Sequence, residues 1–211
     1  MKIFINPGHC VGSDSGAVGY GLTEAEVALN ISKRVSHYLA AVGYTTKVFQ
    51  YDGLEEIVDV SNYWDADLFI SIHCNAANGY AQGTETFYYH NSDEGYRLAN
   101  CIQNQILAKV PVVDRGVKAA SFFVIKYTHC PAVLVETAFI DNPNDADLLV
   151  EREDDFARAI ACGITDYVAV CNFRRRDCSN TSTVDTQFLF YMRVELLQIS
   201  SLYVSALSSY S

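Results

Sequence analysis

The chain has 211 residues, half of them hydrophobic, with a formal charge of −10 and a sequence pI near 4.8. That length suits one α/β domain with a short additional piece, and the apolar half is enough for a sizeable core. So acidic a chain lacks the basic face that nucleic-acid phosphates require, and anionic membranes repel it.

Lys2 to Asn6 reads as a short strand closed by Pro7-Gly8. No charged, apolar and small-residue leader precedes it, so synthesis in the cytoplasm without a recognisable signal peptide is expected. His9 stands at the mouth of a loop, Cys10 to Gly21, in which seven residues are Gly, Ser or Ala. The backbone there can pass close to whatever His9 binds. Thr23 and Glu26 form a capping-box pair, and Val27, Ile31, Val35, Tyr38, Leu39 and Val42 recur at helical spacing. This predicts an amphipathic helix over 24–42, stopped by Gly43. A strand at Thr45 to Phe49 and a helix at Leu54 to Trp64 follow.

Leu68 to Ile72 is a short apolar run without Pro or Gly, the pattern of a strand covered on both faces. It ends at His73, a polar group past the carboxyl end of a central strand, where open α/β sheets place their ligands. Gly83 to Tyr89 alternates like a strand with one wet face, and Asp93 to Lys109 has helical spacing. Val112 to Lys118 reads as a connecting stretch and Phe122 to Ile125 as another short strand. Pro131 to Glu136 repeats the pattern that ended in His73, an apolar run closed by a polar residue. Helices at Asp145 to Glu151 and Asp154 to Val170 complete an α/β sheet with helices on both faces.

Composition shifts near Val170, giving a catalytic domain at 1–170 and a linker with a short C-terminal segment at 171–211. Arg174 to Arg176 reads as a solvated linker. Phe188 to Tyr203 is apolar but carries Arg193 and Glu195 in its middle, against a transmembrane span. It fits an amphipathic helix or a strand pair equally, and self-association through 188–207 is an expectation. The seven cysteines form no Cys-x-x-Cys pair, which excludes a redox motif or zinc ribbon and leaves reduced, mostly buried thiols.

His9, Glu24, His73 and Glu136 all fall at element ends that such a sheet can gather on one rim. Two imidazoles and a carboxylate are the ligand set of many hydrolytic zinc sites, and a second, non-ligating carboxylate can take a proton from water. No His-Glu-x-x-His is present, so a zincin is excluded.

These residues carry a resemblance. Asn6-Pro7-Gly8-His9 followed by Asp14 to Glu24, then Ser71-Ile72-His73-Cys74-Asn75-Ala76, Asp114-Arg115-Gly116-Val117-Lys118 and Pro131 to Asn142 resemble, in order, four blocks of the zinc-dependent N-acetylmuramoyl-L-alanine amidases (the Amidase_3 family). The resemblance implies a single mixed, mostly parallel sheet with helices on both faces. It implies one zinc ion held by His9, Glu24 and His73, with Glu136 as catalytic base and acid. The implied substrate is peptidoglycan, cut between N-acetylmuramic acid and L-alanine, in a bacterial or phage endolysin setting. Glu26 lies close to the ligand register, but the motif favours Glu24. Asn75 either orients substrate or closes a turn; Arg115 either holds substrate carboxylates or braces a loop. Glu136 itself has a structural alternative, an ion pair with Arg115. The competing functions are an inactive muropeptide-binding module and a zinc peptidase acting on the stem peptide.

Overall fold

The structure is a computed structural model that describes residues 1–177, with side chains through Cys171. Its centre is the predicted apolar run: β5 (Leu68–Asn75), whose first five residues are buried. Parallel to it on one edge lies β1 (Lys2–Pro7), and on the other β8 (Ala132–Phe139). β4 (Thr45–Val48) adds in parallel to β1, while β6 (Thr84–Tyr89) pairs antiparallel with β8 and parallel with β7 (Asp114–Ala120). The result is a mixed, mostly parallel six-stranded sheet of order β4-β1-β5-β8-β6-β7. The two-residue strands β2 (Val18–Gly19) and β3 (Leu22–Thr23) form a separate hairpin.

Helices α1 (Glu24–Ala41), α2 (Leu54–Tyr63), α3 (Asp93–Lys109), α4 (Phe123–Tyr127), α5 (Pro143–Glu151) and α6 (Glu153–Asp177) complete the described residues. Phe4, Phe69 and Leu134 pack with Ile57 and Val58 of α2 and Val124 and Ile125 of α4. Each such buried side chain stabilises by roughly 1.5–3 kcal/mol. α3 covers the opposite face: Gln103 accepts from the Thr86 hydroxyl at 2.8 Å, while the next residue, Phe87, faces the α2/α4 cluster. Among the described residues no helix is long and apolar enough to cross a membrane.

Three expectations change. Phe122 to Ile125 is not a strand: Phe123–Tyr127 is helical, with the Phe123 and Tyr127 rings 4.6 Å apart one turn on. A four-residue apolar run has no periodicity to separate strand from buried helix, and burial of Val124 and Ile125 decides it. The stretch expected to connect is instead β7, disguised by Gly116 at φ +82° and a register shift against β6. β6 has no wet face at its start, since Thr84, Glu85 and Thr86 are all buried between β8 and β7.

The helix α6 also continues past Val170 into the predicted linker. Two units divide the chain, Met1–Val170 and Cys171–Ser211, and the first carries the sheet and the site. Self-association through 188–207 lies outside the described residues.

Because β1, β5 and β8 run together, their carboxyl ends share one rim. The reversed strands β6 and β7 bring their amino ends to it as well.

Candidate metal centre

The loop after β1 folds back onto the start of α1. Glu24 N donates to Ala17 O at 2.9 Å and Ala25 N to Ser15 O at 3.1 Å, so loop carbonyls satisfy amides that a capping side chain serves elsewhere. The Thr23 hydroxyl makes no backbone cap and donates instead to Glu26 Oε2 at 2.8 Å. Glu26 is thereby engaged with Thr23, and Glu24 points inward, 4% exposed.

His9 occupies a left-handed backbone conformation, φ 58°, uncommon for a residue with a side chain and typical of constrained sites. Its Nδ1 meets Asp14 Oδ2 at 2.6 Å and its Nε2 meets Glu24 Oε2 at 3.1 Å. A carboxylate on Nδ1 fixes the ring's tautomer and aims Nε2 into the site. His73, at the end of β5, directs Nδ1 to Glu24 Oε1 at 2.9 Å. Donor atoms of His9, Glu24 and His73 all lie within 4.8 Å of one another. Two glycines make the room: a Cβ on Gly16 would stand 2.5 Å from the His9 ring and 2.7 Å from Glu24 Oε2, and one on Gly8 2.3 Å from His73 Nδ1.

Burial pushes the Glu24 carboxyl up, but His73, the Ala17 amide and His9 outweigh it and hold the pKa below the ordinary value. Glu136 is in the reverse condition. It sits beside His73 on β8 and opposite Glu85 on β6, and its Oε2 is buried without a hydrogen-bond partner. Burial, then the charges of Glu24 and Glu85, push its pKa up to about 8. A buried acid tuned near neutrality is suited to proton transfer.

Asn75 and Arg115 meet at a different carboxylate. Asn75 Nδ2 donates to Glu85 Oε1 at 2.7 Å and its Oδ1 accepts from Ala76 N at 2.9 Å, so it closes a turn and holds Glu85. Arg115 Nε reaches Glu85 Oε2 at 3.1 Å, so its ion pair is with Glu85 and not with Glu136. Cys74 lies on the other side of β5 from His73, its thiol against Thr137 Oγ1 at 3.4 Å and its pKa pushed up by burial. Sequence alone gives no role to Asp14, Glu85 or Lys118. For Asp14 a signal existed, an acid five residues from His9 within the Gly-rich loop.

A cleft of about 430 Å³ opens at this rim, lined by His9, His73 and Glu136 and by Tyr51, Leu54, Phe122 and Phe123. A His/Glu/His cluster at the rim of a mixed α/β sheet, next to an unpartnered acid, is the donor set that hydrolytic metal centres use. The N-acetylmuramoyl-L-alanine amidase family model (Amidase_3) matches residues 3–166, and the chain belongs to that family. It is 44% identical over 174 residues to N-acetylmuramoyl-L-alanine amidase LytC of Bacillus subtilis, covering 78% of this chain and 35% of LytC. It is 35% identical over 187 residues to the endolysin of Bacillus phage SPP1, covering 82% of this chain and 67% of the endolysin. The solved amidase AmiC2 of Nostoc punctiforme superposes with a TM-score of 0.75 at 34% identity, over 80% of this chain and 97% of AmiC2. The chain therefore spans about a third of LytC and nearly all of the AmiC2 structure.

Proposed function

We propose that the chain is a zinc-dependent amidase that hydrolyses the bond between N-acetylmuramic acid and L-alanine in peptidoglycan. His9, Glu24 and His73 hold one zinc ion, and Glu136 is the general base and acid. The observation that carries this is a converged His/Glu/His donor set beside a buried carboxyl of raised pKa whose Oε2 lacks a partner. The donors fit the ion. His9, Glu24 and His73 each offer a ligand atom within 4.8 Å of the others, and His9 Nε2 and Glu24 Oε2 stand 3.1 Å apart, so the three would hold the ion together.

Zinc bound there supplies Lewis acidity towards a carbonyl oxygen and lowers the pKa of water towards 7. The side chains do the rest. Asp14 keeps His9 oriented, and the Ala17 and Cys74 amides hold the Glu24 carboxylate in place. Glu136 takes a proton from the attacking water and returns it to the departing amine nitrogen. Tyr51, Leu54 and Phe122 add apolar surface to the lining of the cleft.

Similarity to both a bacterial amidase and a phage endolysin supports a role in cell-wall remodelling or lysis, the enzyme reaching the wall through a holin or another export route. Glu136 weighs against a binding module, because holding muropeptide requires no unpartnered acid beside the metal. Zinc analysis combined with mass spectrometry of muropeptide digests tests the reading. Released glycan free of peptide is the expected product, and cleavage within the stem would identify a peptidase instead.

A further inference from the structure

Glu85 is 4% exposed and directly opposite Glu136 in the antiparallel β6/β8 pair. Two cations close on its Oε2, Arg115 through Nε at 3.1 Å and Lys118 through Nζ, while Asn75 occupies Oε1. Two cations thus serve the one carboxylate that both of them touch, on a chain whose formal charge is −10. Compensating a buried carboxylate requires only one partner cation. Asp114 does not balance the second: its Oδ1 accepts from Gln103 of α3 and from Gly116 N, on the other face of the sheet.

Both cations remain open to solvent, Arg115 at 33% and Lys118 at 41% side-chain exposure. Their positions are nonetheless fixed. The Arg115 guanidinium lies 4.7 Å over the Phe139 ring and donates to Gln82 O at 3.3 Å. Lys118 pairs with Phe87, whose ring packs 5.1 Å from that of Phe122 on the cleft wall.

We propose that Lys118 and Arg115, ordered in advance by Glu85, form a carboxylate-binding subsite that selects stem peptides with a free carboxyl on their second residue. This rests on the amidase reading. Glu85, where both side chains converge, lies on β6, one strand or about 5 Å from Glu136 on β8. An extended peptide advances roughly 3.3–3.6 Å per residue, so an acid one to two residues beyond the cut amide falls in that range. Peptidoglycan carries such a group on the second stem residue, a glutamate linked through its side-chain carboxyl, whose main-chain carboxyl is either free or amidated. An ammonium and a guanidinium favour the free acid.

The test compares two muropeptides, identical except that the second residue is D-glutamate or D-isoglutamine, using the zinc-loaded full chain. The wild type is expected to favour the free acid by about tenfold in kcat/KM, the factor of one charge-assisted contact. Lys118→Met should bring the two within about twofold, and Lys118→Arg should restore most of the preference. A wild-type ratio near one, or an unchanged ratio in Lys118→Met, overturns the subsite. In parallel, the two matching stem tripeptides are titrated into zinc-free protein and followed by NMR. If neither muropeptide is cut the amidase reading fails, and equal binding of the two tripeptides overturns the subsite independently.

Discussion

Glu24, at the start of α1, and Glu136, on β8, are carboxyl groups at one rim, and their surroundings could hardly differ more. Around Glu24 the chain supplies two imidazoles and two backbone amides, and the pKa falls despite burial. Around Glu136 it supplies neighbouring negative charge and no partner for Oε2, and the pKa rises. Residue type does not distinguish a ligand from a proton carrier here; the number of donors delivered by neighbouring elements does.

The largest effect expected from this contrast is kinetic. Glu136→Gln should cut amidase turnover by about 10²–10⁴ while the protein keeps one zinc, measured by muropeptide mass spectrometry beside metal analysis. Loss of zinc in that variant would put Glu136 among the ligands.

The second effect is on stability. The folded pKa of Glu136, about 8, lies above the ordinary value of 4.5, so the folded state binds more protons between those limits. Its protonated form contributes stability that is full below pH 4.5 and lost as pH rises through 8. Zinc-free wild type should therefore fall behind zinc-free Glu136→Gln by up to a few kcal/mol across that window. Denaturant melts at pH 4.5, 6.5 and 8.5 read the difference, and a gap independent of pH would refute it.

A smaller effect is expected on the Glu24 side. Asp14→Asn should weaken zinc binding 10–100-fold in competition with a chelator, because the acceptor that orients His9 loses its negative charge. Smallest of all is a change remote from both acids. Arg34→Ala removes a half-exposed ion pair with Glu153 and should cost less than about 1 kcal/mol with activity unaltered.

The strand-end pattern made much of the site legible in sequence. Apolar runs ending in His73 and Glu136 announce central strands with polar tips, and the Gly-rich loop announces close approach to His9. Glu85 stayed hidden because Thr-Glu-Thr-Phe imitates the alternation of a half-wet strand. Only its neighbours across the sheet, Glu136, Arg115 and Lys118, reveal a buried acid, and they come from distant parts of the chain. The helix at Phe123–Tyr127 was illegible for a related reason, since what it packs against, and not its own periodicity, selects its conformation.

One feature of the His9 loop bears on protein engineering. Its carbonyls at Ser15 and Ala17 serve as the N-terminal cap of α1, and the Ala17 amide grips the very carboxylate that the helix begins with. Loop and first helical turn are thus a single transplantable module. A chimera spliced between Ala17 and Glu24 would receive an imidazole without its acid, and a helix with its leading amides bare.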